Sequence, residues 1–349
     1  MRLDLLRTEL EIRYLQEPSR LRAELALIPR DQLVIIDEIQ KVPALLDEVH
    51  FLIQEESRIF GLCGSSARKV RHGHANLLGG RALRYELLGL TMHELGEAAD
   101  LLRMLNHGNL PTHYLAASAQ DLLRSYVEDY LKQEILAEGL VRRLPQFTDF
   151  LRSAALGDSE QLSLASIARD CGVAATTVRD HYSILVDTLL GDFLPAYTKR
   201  PKRRVISAPK FYFHDVGIVN HLARRGRIEP GSELFGKAFD NWIHHELYCY
   251  SRYSGRHFDL SYWRLTTGVE VDFIVGDGEL AIEAKGKNRV TAADAKHLRA
   301  FRQDHPEVKK LILVCCEDSP RVLDEDILAL PWQRFVMMLW SGELTSEVA

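Results

Sequence analysis

Four side chains in the last third of the chain have the types and spacing for phosphodiester chemistry: Glu246, Asp272, Glu283 and Lys285. Asp272 interrupts an apolar run, VEVDFIV, where burying a carboxylate is costly. Residues 269–275 and 281–285 read as adjacent strands of one hairpin, with Asp272 opposite Glu283. Such an acidic pair makes sense if a divalent cation sits between the two groups. Lys285 follows Glu283 by two residues and shares its face, where it can neutralise a phosphate or orient a water. Glu246, on the preceding helix, would add a ligand. This is the layout of Mg²⁺-dependent phosphodiester hydrolysis. A plain salt bridge between Asp272 and Lys285 would use the same residues.

A second set lies near the start. Leu33–Ile36 is a β-branched apolar run that ends in Asp37 and Glu38. A buried strand ending so puts two carboxylates at the carboxyl edge of a parallel sheet, where such folds bind ligands. In nucleotide hydrolases the Asp holds Mg²⁺ and the Glu polarises the attacking water. Ser65, Ser66 and Arg68 follow the next strand and could reach a γ-phosphate. A solvated acidic turn is the plainer alternative. The glycine-rich phosphate cradle G-x-x-x-x-G-K-[ST] is not found before this strand, since the first 32 residues contain no glycine. Gly231, Gly236 and Lys237 approach that pattern, but Ala238 stands where its hydroxyl belongs.

The third set suits nucleic acid. Helices over 164–171 and 175–189, joined at Gly172, form a helix–turn–helix, and Thr176, Thr177 and Arg179 would begin the recognition helix. Between Asp192 and Asp215 there is no acid, but there are Lys199, Arg200, Lys202, Arg203, Arg204 and Lys210. That stretch reads as a β-hairpin wing with a cationic tip suited to phosphates. A helical hairpin used for packing, beside a solvated basic loop, carries the same signal. Winged helices also serve as protein–protein modules.

The elements that must position these groups fall into three textures. Residues 1–100 alternate strands (3–6, 33–36, 59–63, 84–88) with helices over 10–28, broken near Pro18, and 45–56; this alternation indicates a parallel α/β sheet. Residues 101–225 are mostly helical, with a helix over 121–138 ending at Gly139 and another over 146–156. Residues 226–349 read as one α/β unit: a long helix over 235–251, strands at 261–265, 269–275, 279–284 and 311–316, and helices at 292–305 and 332–340.

The whole chain has 349 residues, 46% hydrophobic and 27% charged, with a net charge of −5. That balance excludes disordered, collagen-like and polycationic classes. No apolar run approaches the ~20 residues of a membrane span, and the charged N-terminus lacks a signal-peptide core. Five cysteines without a C-x-x-C pair read as buried free thiols in a cytoplasmic protein. The histidines, including His72, His74, His244 and His245, show no metal-site spacing, and Trp263, Trp332 and Trp340 read as core anchors.

Taken together, LVIIDEIQKVPALLDEVHFLIQE, GLCGSSARKVRHGHANLLGGRALRYELLGLT, YVEDYLKQEI, RDCGVAATTVRDHYSILVDTLLG, YTKRPKRRVISAPKFYFHDVGIVN, GKAFDNWIHHEL, YWRLTTGVEVDFIVG and AIEAKGK resemble a prokaryotic family of AAA-type ATP-binding proteins. The C-terminal half of that family is a domain of unknown function with a restriction-endonuclease-like fold. The resemblance implies a truncated AAA-type parallel sheet domain at 1–100, a helical and winged-helix domain at 101–225, and a PD-(D/E)xK nuclease-like α/β domain at 226–349. It implies ATP and Mg²⁺ as cofactors and Asp37 and Glu38 as the Walker B pair. Ser65 or Ser66 would be the sensor, and Arg68 or Arg81 an arginine finger. Glu246, Asp272, Glu283 and Lys285 map onto the nuclease motif. The family's phosphate loop would lie upstream of Met1, so the chain reads as N-terminally truncated, with very weak or no ATP hydrolysis. DNA is the expected partner and a homo-oligomer a candidate state. A metal-dependent nuclease and a non-catalytic DNA- or protein-binding module are the alternatives.

Overall fold

The computed structural model describes the chain apart from residues 65–81, 132–134, 136–140, 142–143, 200–203, 325 and 347–349. Ser65, Ser66, Arg68, Arg81, Arg200, Lys202 and Arg203 therefore lie outside the described residues. The chain divides into two compact units, Met1–Tyr85 and Glu86–Ala349. The middle and C-terminal segments share the second.

In the first unit β1 (Arg2–Asp4), β2 (Val34–Asp37) and β3 (Phe60–Leu62) form a parallel sheet ordered β1-β2-β3. Parallel strands need crossovers. These are α1 (Thr8–Gln16) and α2 (Arg20–Leu25), separated at Pro18, and then α3 (Leu45–Glu56). Tyr14, Leu21, Leu25, Val49 and Leu52 pack with Val34 and Ile36. The strand expected at residues 84–88 is not formed. Leu83, Tyr85 and Leu87 are exposed, so the segment has no buried face to drive pairing.

The second unit opens with helical layers. Here α4 (Leu101–His107) packs Leu101, Met104 and Leu105 into the core of the C-terminal sheet, while α5 (Leu144–Leu156), α6 (Leu164–Cys171), α7 (Ala175–Asp187) and α8 (Val216–Leu222) surround a core that includes Phe147, Phe150, Val178, Tyr182 and Phe213. The helix expected over 121–138 is an α-helix at Gln120–Ser125 that continues as a π-helix at Tyr126–Leu131; most of its remainder lies outside the described residues. Ser163 caps α6 by accepting the Ser166 N–H, and Gly172 ends it at φ 63°, a left-handed turn that favours glycine.

After α7, β4 (Gly191–Leu194) pairs antiparallel with β5 (Lys210–Phe213). The connector is not the free wing that the sequence suggests. It runs beside β6 (Leu260–Arg264): the Tyr197 N–H donates to the Tyr262 carbonyl and the Ile206 N–H to the Arg264 carbonyl. An edge strand's open backbone groups have drawn both flanks of the basic stretch onto the sheet.

That sheet holds β6, β7 (Glu270–Val275), β8 (Leu280–Ala284), β9 (Lys310–Cys315), β10 (Arg321–Asp324) and β11 (Ile327–Pro331), ordered β10-β11-β9-β8-β7-β6. The pairs β6·β7, β7·β8 and β10·β11 are antiparallel, while β8·β9 and β9·β11 are parallel. Helices α9 (Glu233–Tyr253) and α11 (Trp332–Trp340) cover one face, packing Phe239, Trp242, Leu247, Phe335 and Leu339 on Phe273, Ile282, Ile312 and Val314. Helix α10 (Lys296–Asp304) covers the other, with Leu298 and Phe301 on Val271, Ala281, Leu311 and Leu313. Successive residues of β8 and β9 thus enter different cores, and a register irregularity opposite Ser261–Trp263 sends Val271 and Phe273 of β7 to different cores as well, which explains the nearly continuous apolar runs.

All five cysteines are free, and Cys63 is exposed rather than buried. Among the described residues no helix is long and apolar enough to cross a membrane.

Candidate functional site

A cavity of about 750 Å³ opens where β7 and β8 meet the start of α9. Asp272 and Glu283 flank the paired residues Phe273 and Ile282, so the antiparallel register brings the two carboxylates to one end of the hairpin. The Ala284 N–H donates to Asp272 Oδ2 at 2.8 Å. Glu283 is only 1% exposed. Its Oε1 faces Lys285 Nζ at 2.7 Å and His297 Nδ1 at 3.2 Å, while its Oε2 is buried without a partner.

The sequence reading missed a third carboxylate, Asp240 on α9. It lines the cavity, accepts from the Tyr212 hydroxyl at 2.9 Å, and keeps Oδ1 buried and unpartnered. Its signal in the sequence is slight, an acid directly after Ala238 and Phe239 in GKAFDNW. Lys210 is buried here too, paired with Glu270, which also binds Arg264 at 2.7 Å. Lys237, Lys287 and Arg289 line the cavity as well.

Glu246 does not join them. At ~100° per residue, six residues beyond Asp240 place it roughly 240° further round α9. There it is fully buried and accepts from the Met92 N–H at 2.7 Å and Trp340 Nε1 at 3.0 Å. It ties the Met92 segment and α11 to α9, and burial pushes its carboxyl up to about 7.

Electrostatics at the cavity follow from crowding. Burial, and then the charge of Glu283, push Asp272 well above the usual carboxylate range. Burial raises Asp240, with Lys210 opposing. Burial works against the Lys285 ammonium, but Asp272 and Glu283 outweigh it and hold the group above the ordinary lysine value. Lys285 is therefore a fixed positive charge at neutral pH.

Among the described residues no group of three or more His, Cys, Asp or Glu side chains is arranged to hold a metal ion. The donor chemistry still fits a hard cation. Glu283 Oε2 and Asp240 Oδ1 are buried oxygens without partners, and Mg²⁺ takes one or two carboxylates while keeping several waters.

In the first unit Asp37 ends the central strand, and its Oδ2 accepts from Arg2 Nη2 at 2.7 Å. Glu38 follows in the left-handed region at φ 58° and accepts from Gln40 Nε2. On α7, Thr176 and Arg179 are exposed and Thr177 is half-buried. The cations of the basic stretch are not all unopposed: Lys199 pairs with Asp277 and Lys210 with Glu270, acids some sixty to eighty positions away. Arg204 is exposed.

Residues 3–96 match a family model described as an AAA domain. Residues 98–229 and 235–335 match two domains of unknown function, DUF8612 and DUF4143. No curated protein and no solved structure matches the chain. The chain is thus a protein with an AAA domain followed by two domains whose activity the matches leave open.

Proposed function

We propose that the C-terminal domain is a nuclease-like phosphodiester site of the PD-(D/E)xK type, carried on an ATP-binding AAA chain that works on DNA. One observation supports this most: Asp272, Glu283 and Lys285 converge at one end of a hairpin, where Asp272 and Lys285 line a cavity and Glu283 is buried behind Lys285. Mg²⁺ bound by Asp272 and Glu283 would stabilise charge on the phosphate and acidify a bound water. Lys285, kept charged by its carboxylate neighbours, anchors the scissile phosphate and does not act as a base. His297 and Lys285 both engage Glu283 Oε1, which leaves Oε2 for the ion. Arg289 would guide a flanking phosphate; Lys237 and Lys287 line the cavity too but are paired with Glu160 and Asp294.

The test is cleavage of supercoiled plasmid and of branched DNA in Mg²⁺ or Mn²⁺. Wild type should nick DNA, and Lys285→Ala and Asp272→Asn should not, with all three equally folded. Equal nicking by Lys285→Ala removes the site from consideration.

The AAA domain supports a second reading, an ATP switch. Asp37 at the end of the central strand β2 would take Mg²⁺, with Glu38 polarising water. Titration of the chain with Mg-ATP tests it, and Asp37→Asn should abolish whatever binding is found. The exposed first turn of α7, with Thr176 and Arg179, and Arg204 on the basic stretch would contact DNA. A retardation assay insensitive to salt would contradict that contact.

A further inference from the structure

A second cavity, about 870 Å³, lies in the helical part of the second unit. Five arginines line it, Arg103, Arg124, Arg224, Arg225 and Arg227, against two acids, Asp100 and Asp121. Arg124 pairs with Asp121 at 2.9 Å, and Arg103 Nε donates to the Tyr114 carbonyl at 2.6 Å. Arg225 faces the buried carboxyl of Asp158, which its charge helps to keep ionised, whereas among the described residues no carboxylate is within ion-pairing distance of Arg224 or Arg227. The carboxyl end of α8 brings roughly half a negative charge. The two guanidiniums of Arg224 and Arg227 exceed that severalfold.

The arginine loop is held rather than loose. The Arg225 N–H donates to the Asn220 carbonyl at 2.9 Å. Asn106 brackets the far end: its Nδ2 donates to the Ile228 carbonyl at 3.1 Å and its Oδ1 accepts the Ile228 N–H at 2.8 Å. Between these points Arg224 sits at φ 52°, a conformation that L residues adopt at a cost.

Two further groups in the cavity wall lack partners. Asn220 donates its Nδ2 to the Leu105 carbonyl at 2.8 Å, which leaves its buried Oδ1 without a donor. His107 Nδ1 is likewise buried and unpartnered. Burial, and then the Arg103 charge, keep the His107 ring below its ordinary pKa, so the ring is neutral. A buried acceptor without a donor carries a desolvation penalty that a ligand's O–H or N–H would relieve.

We infer that this cavity binds a small phosphate ester that also carries hydroxyl or amino donors, a mononucleotide being the simplest such molecule. The unpaired guanidiniums grip the phosphate, where planar bidentate donors suit its oxygens. Asn220 Oδ1 accepts from the remainder of the ligand. The volume falls in the ~300–1,000 Å³ range of small-molecule pockets.

The test is calorimetric titration of the full chain with adenosine 5′-monophosphate. The comparison is the double variant Arg224→Gln/Arg227→Gln, both sites being exposed, with matched thermal melts confirming the fold. The variant should bind at least tenfold more weakly, and Arg224→Lys/Arg227→Lys should recover part of the loss. Unchanged affinity in the glutamine variant overturns the inference, as does no binding by wild type at millimolar ligand. Arginine-dependent binding of a single-stranded oligonucleotide without binding of the mononucleotide also overturns it, since the cavity would then be part of a nucleic-acid surface.

Discussion

Glu246→Gln separates a structural role for this residue from a metal-ligating one. The wild-type carboxyl is fully buried and raised from 4.5 to about 7 by burial. A carboxyl raised on folding disfavours the ionised form, so its contribution is intact below pH 4.5 and is lost as pH rises toward 7. At about 1.36 kcal/mol per pH unit, that change amounts to about 3 kcal/mol. The substituted amide would not titrate, but it places an N–H where one carboxyl oxygen accepts, either from the Met92 N–H or from Trp340 Nε1. Losing one such bond costs about 1 kcal/mol. The variant should therefore be the less stable protein at pH 4, by about 1 kcal/mol, about equal to wild type at pH 5, and the more stable one at pH 8, by about 2 kcal/mol. Urea unfolding followed by tryptophan fluorescence reads this directly, because all four tryptophans lie in the second unit and Trp340 touches Glu246. Curves for the two proteins that run parallel from pH 5 to 8 would refute the reasoning. So would loss of metal-supported cleavage in the folded variant, which would return Glu246 to the site.

Asp272→Asn keeps an acceptor for the Ala284 N–H and removes one of several crowded negative charges. It should raise unfolding stability by about 0.5–2 kcal/mol while ending cleavage, and a melting point lower than wild type would count against the crowding argument. Gly108, at φ 86°, could accept a methyl group only 2.2 Å from Asp215 Oδ1, which caps α8 and holds the Asn109 and Leu110 N–H groups. Gly108→Ala should cost at least about 1–3 kcal/mol from backbone strain alone, read by the same fluorescence. Buried Arg58 donates to the Leu25 and Ile28 carbonyls and pairs with Glu56. Arg58→Met should cost about 3 kcal/mol, measured as faster hydrogen exchange in β2 and α3 with the second unit unchanged.

How much the sequence disclosed depended on whether a signal was local. Strands over 34–37, 60–62 and 270–275, and the pairing of Asp272 with Glu283, follow from runs and alternation that a short window contains. Lys285 followed from the same alternation, since a period of two fixes which side a residue faces once its neighbour is placed. Helix phase was less secure. Asp240 and Glu246 are both acids on α9, and only the contacts with Tyr212 on one side and Trp340 on the other decide which faces the cavity. Counter-ions were the least legible. Lys199 and Lys210 look unopposed along the chain because Asp277 and Glu270 reach them only through the packing of the connector along β6. The same consideration bears on the arginine cavity. Arg224, Arg225 and Arg227 also stand together in sequence; the fold brings Asp158 toward Arg225 but no ion-pairing carboxylate, among the described residues, to Arg224 or Arg227, and Asn106 holds their loop in place. A cationic cluster that folding pairs off is structural. One left unpaired and held in place by the fold keeps its charge available for a ligand.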